Sequence, residues 1–192
     1  MRKGEHYDMT YSPVASWNSV RILLTLTALH GWTTKRIDFV QAFAQAPIEK
    51  TLYMRIPAGI ELEDGSDTKE YVLLILLIHQ NIYGQKQAGQ VWNQFLVKKL
   101  VKELGFKQSE VDECVFYRGK TLYVLYTDDS LLADPDADEI NQIIDELQTK
   151  ANLSITVEGD LADFLGVNID RKADGSIYLT QPHLIEQILK DF

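Results

Sequence analysis

The chain has a single cysteine, Cys114, among its 192 residues. No intrachain disulfide can form, and a cysteine-type zinc site would lack three of its ligands. Such cysteine usage fits a reducing compartment. Long hydrophobic runs are missing as well. The longest aliphatic stretch, Val72 to Ile78, falls far short of the roughly 20 residues a spanning helix needs. Met1-Arg2-Lys3-Gly4 leads into polar residues, so no signal peptide is visible. The expectation is an intracellular, soluble protein. Basic residues are scarce: 19 Lys and Arg stand against 28 Asp and Glu, for a net charge of −9. A dedicated nucleic-acid-binding module is usually basic, so this balance counts against one. It does not exclude an enzyme whose carboxylates hold metal.

Apolar residues make up 45% of the chain, enough for the core of one domain or of one plus part of another. The stretch that organises the rest is Tyr126-Thr127-Asp128-Asp129. Apolar runs flank it, Leu122 to Leu125 and Ser130 to Ala133, and both read as strands. The expectation is a β-hairpin with the aspartates at its tip. Side chains alternate along a strand, so adjacent carboxylates converge only where alternation stops, as at a turn. There they repel each other, and a divalent cation relieves the repulsion. Asp is also a common turn former, so a plain solvated turn is an open reading of these residues alone.

Upstream, Ser16 is a candidate N-cap for a helix with apolar positions at Val20, Leu23, Leu24, Thr27 and Ala28, closed near Gly31. Lys35 to Val40 reads as a strand carrying one acid, Asp38, and Gln41-Ala42-Phe43 turns into a helix start. Asp38 is a candidate third metal carboxylate or merely a cap. Leu52 to Pro57 reads as a strand, Glu61 to Lys69 as an exposed loop, and Tyr71 to Ile78 as a buried strand. A glycine-bounded turn, Gly84 to Gly89, launches a helix over Gln90 to Leu104. Val91, Phe95 and Val101 mark its apolar face and Lys98, Lys99 and Lys102 its basic one.

Cys114 to Tyr117 and Thr121 to Tyr126 form a hairpin through Arg118-Gly119-Lys120. Asp136 to Lys150 reads as an amphipathic helix on Ile140, Ile143, Ile144 and Leu147. Leu153 to Val157, Phe164 to Ile169 and Ser176 to Leu179 read as strands, and His183 to Leu189 as a helix. After residue 35 the order is strand, helix, strand, strand, helix, strand. That is the α+β, split βαβ (ferredoxin-like) plan: an antiparallel sheet with helices on one face. The plan puts the first strand beside the hairpin and so brings Asp38 to Asp128 and Asp129. Three carboxylates at one sheet edge suit Mg2+, a hard cation that prefers oxygen ligands. A pair of such ions supports phosphoryl-transfer chemistry without a fixed general base, and none of the four histidines is placed to act as one.

Tyr126-Thr127-Asp128-Asp129 resembles the Tyr-x-Asp-Asp motif of reverse transcriptases. Ile37 to Phe43 resembles their first catalytic motif, an Asp followed five positions later by an aromatic. Ile82-Tyr83-Gly84-Gln85-Lys86-Gln87, continuing to Trp92, is similar to the Tyr-Gly-Leu-Lys-Gln…Trp segment of copia-type retrotransposon polymerases. Tyr11-Ser12-Pro13-Val14, Phe164-Leu165-Gly166 and Leu179-Thr180-Gln181 match that group too, in the same order. Gln85 departs from its usual leucine, and Gly89 from a frequent proline.

The resemblance implies a polymerase palm plus part of the fingers. Residues 1–34 and 44–82 would be partial fingers, and 35–43 and 83–192 palm, with thumb and ribonuclease H absent. It implies RNA-directed DNA polymerase activity with two Mg2+ ions, or Mn2+ as a substitute. Asp38, Asp128 and Asp129 would be the catalytic metal ligands. Phe43, Tyr83, Gly84 and Lys86 would bind the nucleotide, with Phe43 excluding a ribose 2′-OH. Tyr126, Phe164, Leu165 and Gly166 would meet the primer. The partners would be a primed RNA or DNA template, a deoxynucleoside triphosphate and other polyprotein segments such as integrase and ribonuclease H, with no membrane. The site of action would be a cytoplasmic virus-like particle or the nucleus. The alternative is an inactive remnant or a folded interaction module without catalysis.

Overall fold

The computed structural model describes residues 4, 5, 7–57 and 75–191. In chain order, α1 is Trp17–His30, with Ser16 Oγ accepting from the Ser19 amide at 3.1 Å and Gly31 closing the helix at φ 63°. β1 is Thr33–Phe39 and α2 a single turn, Ala42–Gln45. β2 is Leu52–Arg55 and β3 Ile75–Ile78. α3, Ala88–Lys98, continues into a π-helical segment, Lys99–Glu103, and the chain turns away at Gly105, φ 73°. β4 is Lys107–Gln108, β5 Val115–Arg118, β6 Thr121–Tyr126 and β7 Asp129–Asp134. α4, Ala137–Thr149, is capped by Asp136, whose carboxylate accepts from the Asp138 amide. β8 is Ile155–Gly159, β9 Asp163–Phe164, β10 Val167–Arg171, β11 Ile177–Thr180 and α5 Pro182–Asp191.

The fold is α+β, with every ladder antiparallel among the described residues. The chain divides into two compact units, residues 13–40 with 96–192 and residues 1–12 with 41–95. The larger unit holds a six-stranded sheet in the order β4-β5-β6-β7-β1-β8 and a three-stranded sheet, β11-β10-β9. β1 therefore sits between β7 and β8. Its core is built by Ile37 and Phe39 on β1, Tyr123 to Leu125 on β6, Leu131 to Ala133 on β7 and the buried stripe Ile140, Ile143 and Leu147 of α4. Each large buried side chain contributes roughly 1.5–3 kcal/mol. α1 lays Val20, Leu23 and Leu24 into the same core.

Polar ties fix these elements. Asp112 Oδ2 accepts from the Ser16 amide at 3.0 Å and Ser19 Oγ at 2.5 Å, which ties the start of α1 to the loop before β5. Arg118 at the end of β5 donates to Glu146 Oε2 on α4 at 2.5 Å, to Glu139 Oε1 at 3.0 Å and to the Leu104 carbonyl at 2.9 Å. Lys150 and Gln142 complete the shell of the buried Glu146 carboxylate. Burial alone would raise Glu146. The hydrogen bonds from Arg118, Lys150 and Gln142 outweigh it and hold the carboxyl at about 2.

The smaller unit contains the two-stranded sheet β2-β3. Here an expectation fails. Tyr71 to Ile78 reads as a buried strand, but Ile75, Leu76 and Leu77 are 58%, 41% and 45% exposed. A short apolar run cannot by itself report how many neighbours cover it. Residues 71–74 of that reading, and the loop expected at Glu61 to Lys69, lie outside the described residues. Two further readings need correction. The apolar stripe after residue 88 is Val91, Trp92, Leu96, Leu100 and Leu104, with Val101 exposed. Repeats of four drift off one face of an ideal α-helix, and the wider π-helical turn brings Leu100 and Leu104 back into line. Phe164 to Ile169 is not one strand, because Leu165 and Gly166 break it into β9 and β10 with φ of 52° and 76°.

Candidate active site

The β6–β7 hairpin has a two-residue loop, Thr127 and Asp128, and Asp129 is the first residue of β7. Two-residue hairpins need left-handed backbone in the loop. Thr127 supplies it at φ 55° although it is β-branched, a strain of about 1–2 kcal/mol that glycine would avoid. Strain of this kind concentrates at functional loops. The Phe39 amide donates to the Asp128 carbonyl at 3.1 Å, so β1 is sutured to the loop just past Asp38.

Asp38 and Asp129 are direct cross-strand partners on β1 and β7. Residues opposite each other in an antiparallel ladder leave the sheet on the same face, with Cβ atoms roughly 4.5–5.5 Å apart. Asp38 is half-buried. Burial, then the charges of Asp128, Asp129 and Glu158, push its carboxyl above the usual value, with Arg36 opposing them. The expected convergence of Asp38 with the aspartate pair is thus what the backbone delivers.

Two residues at this site were not among the expected ones. Arg36 donates to Asp129 Oδ1 through Nη2 at 3.0 Å and Nε at 3.2 Å. It also pairs with Glu158 Oε2 at 3.0 Å and with Asp163 Oδ1. Burial alone would lower the guanidinium. Its bond to Asp129 and the charges of Asp129, Glu158 and Asp163 hold it above its ordinary value instead. Glu158 sits in a bulge, because the β1–β8 register steps from Arg36↔Gly159 to Ile37↔Val157. A signal for Arg36 was present: two residues before Asp38 on one strand is the same face.

Among the described residues, no group of three or more Asp, Glu, His or Cys side chains is gathered into a ready-made metal cage. The donor chemistry still fits a hard divalent cation. Asp38 near the end of β1 and Asp128 in the adjoining loop are carboxylates, and the acidic neighbours that raise Asp38 are what a cation would offset. Asp129 is partly engaged by Arg36.

The expected nucleotide-binding residues fall in the smaller unit. The Phe43 and Tyr83 rings lie 4.5 Å apart, tilted by 41°. Phe43 is half-buried and Tyr83 is 59% exposed. Gly84 has φ 89°, and with Tyr83 it lines a cavity of about 320 Å³ shared with Leu52, Met54, Ile78 and Gln85. Lys86 is exposed, its Nζ 5.4 Å from the centre of the Tyr7 ring. Of the primer set, Tyr126 meets Phe164 edge-on at 6.2 Å, and Leu165 and Gly166 form the β9–β10 turn. Phe164 itself is fully buried, so it supports Tyr126 from the core.

The sequence matches, over residues 1–192, the family described as reverse transcriptase (RNA-dependent DNA polymerase). It is 31% identical to the retrovirus-related Pol polyprotein from transposon RE1 of Arabidopsis thaliana over 192 residues, 98% of this chain and 12% of that one. It is 31% identical to that from transposon RE2 of the same plant over 184 residues, 94% of this chain and 12% of the relative. To the corresponding polyprotein from transposon TNT 1-94 of Nicotiana tabacum it is 25% identical over 197 residues, covering 100% of this chain and 14% of the relative. The chain therefore spans 12–14% of the length of these relatives. No solved structure matches it. The chain belongs to the reverse transcriptase (RNA-dependent DNA polymerase) family, in the copia-type group that its motifs resemble.

Proposed function

We propose that this chain is the palm, with part of the fingers, of an RNA-directed DNA polymerase that adds a deoxynucleotide to a primer 3′-OH. The observation that carries the reading is the facing pair Asp38 and Asp129, with Asp128 in the loop beside them. The strand order β6-β7-β1-β8 supports the split βαβ plan of a palm. The partial fingers would lie in residues 1–34 and 44–82 and the palm in 35–43 and 83–192.

In the reaction the primer 3′-oxygen attacks the α-phosphorus of the triphosphate, its proton passes to solvent water, and the bond to the departing pyrophosphate breaks. Asp38 and Asp128 would hold Mg2+, with Asp129 assisting. Two such ions, when bound, supply charge stabilisation for the attacking and leaving oxygens. The chain's own residues do the positioning. Phe43, five residues after Asp38, would lie under the sugar and fill the space of a 2′-OH. A hydroxyl pressed against its ring meets a steric clash and loses its hydrogen bonds. Tyr83 and Gly84 would line the base and template side, and Lys86, exposed and cationic, would face phosphate. Tyr126, held edge-on by Phe164, would rest against the last primer nucleotide, with Leu165 and Gly166 at the turn beside it. The template would be primed RNA or DNA. Other polyprotein segments would work with this one, inside a cytoplasmic virus-like particle or the nucleus.

The test is primer extension on an RNA template with Mg2+, parent chain against Asp128→Asn. The reading expects extension by the parent and its loss in the variant with the fold retained. Equal extension by both overturns the assignment of Asp128. No extension by the parent leaves a polymerase that needs its flanking polyprotein segments and an inactive remnant, and extension after those segments are restored tells the first from the second.

A further inference from the structure

We infer that Arg36 is a positioning residue that pins Asp129 by one carboxylate oxygen and competes with a divalent cation for it. The inference rests on the polymerase reading above. Arg36 and Asp38 are two apart on β1, so both leave the strand on the face that also carries Asp129. Arg36 Nη2 and Nε converge on Asp129 Oδ1, at 3.0 and 3.2 Å. Both nitrogens bond the same carboxylate oxygen, so the fork fixes Asp129 through Oδ1.

The guanidinium is itself braced. The bulge in β8 leaves Glu158 as the extra residue between Val157 and Gly159, and Glu158 Oε2 lies 3.0 Å from Arg36 Nε. Bulges re-aim side chains in this way. Asp163 on β9 takes Nη1. Acids on β7, β8 and β9 thus over-determine the position of one planar fork. A lysine has no such fork.

Two consequences of opposite sign follow from removing Arg36. A cation approaching Asp38, Asp128 and Asp129 meets a fixed positive charge, so its loss tightens cation binding. Asp129 also loses its orientation, so turnover falls. An ion pair that only holds strands together predicts parent-like turnover in folded Arg36→Lys.

The test measures Mn2+ binding to the 192-residue chain from the paramagnetic resonance signal of free Mn2+, for the parent, Arg36→Gln, Arg36→Lys and Asp38→Asn. Thermal unfolding confirms that each is folded. Arg36→Gln is expected to bind Mn2+ about threefold to tenfold more tightly. Its single-nucleotide addition at saturating triphosphate should fall by about tenfold or more, with the triphosphate KM little changed. Arg36→Lys keeps the charge and loses the fork, so Mn2+ affinity stays near the parent's while turnover falls. Folded Arg36→Gln with unchanged or weaker Mn2+ binding overturns the inference. If Arg36→Gln does not fold, parent-like turnover in Arg36→Lys overturns it. Parent binding that Asp38→Asn removes upholds the metal reading even when Arg36 changes nothing. No Mn2+ binding by the parent overturns both.

Discussion

Asp38 faces Asp129 directly across the β1–β7 ladder, two carboxylates on one face of the sheet. Like charges so placed destabilise by about 0.2–1 kcal/mol. Burial and the neighbouring acids hold the Asp38 carboxyl above its ordinary value. The folded chain therefore binds that proton more tightly than the unfolded chain does. Stability falls as pH rises from the ordinary carboxylate value, 3.8, through the raised folded one. In metal-free buffer, Asp38→Asn should raise the urea midpoint at pH 7 by an amount worth about 0.5–1 kcal/mol. The gain should vanish in acid. A lower midpoint at pH 7 would show that the facing acids are not in conflict.

Glu146 has the opposite sign. Its carboxyl is held at about 2 against an ordinary value of 4.5 by Arg118, Lys150 and Gln142. That stability is present above the ordinary value and is lost as pH falls from about 4.5 to about 2. Breaking this buried cluster with Glu146→Ala should cost on the order of 3 kcal/mol at pH 7, because Arg118 loses its principal partner. The same change should flatten the acid limb of stability against pH in urea titrations. An unchanged acid limb would place the sensitivity elsewhere.

The polymerase reading makes Phe43 a sugar gate. Phe43→Val should lower the preference for deoxy- over ribonucleoside triphosphates by at least about tenfold in kcat/KM, while deoxynucleotide addition falls little. Unchanged sugar preference would leave Phe43 as a packing partner of Tyr83, which it touches at 4.5 Å between ring centres.

Much of this arrangement was legible from local rules. Ser16 and Gly31 bracket α1 as cap chemistry requires, and the runs flanking Thr127-Asp128 form the expected hairpin. The convergence of Asp38 with Asp129 followed from strand order alone. What escaped depends on events that a period of two or 3.6 does not encode. The bulge that presents Glu158 is a one-residue slip, and the Leu165–Gly166 turn is hidden inside an apolar run. The π-helical turn moves the stripe of α3 onto Leu100 and Leu104. Arg36 carries no motif of its own in the sequence, although its position two before Asp38 puts it on the same face of β1.

The most direct measurement is the rate of single-nucleotide addition to a primed RNA template by the parent, Asp38→Asn and Asp129→Asn, with folding verified for each. The account predicts a loss on the order of 10³-fold or more for Asp38→Asn and a smaller loss for Asp129→Asn, which Arg36 already holds by one oxygen. Parent-like addition by folded Asp38→Asn would contradict it.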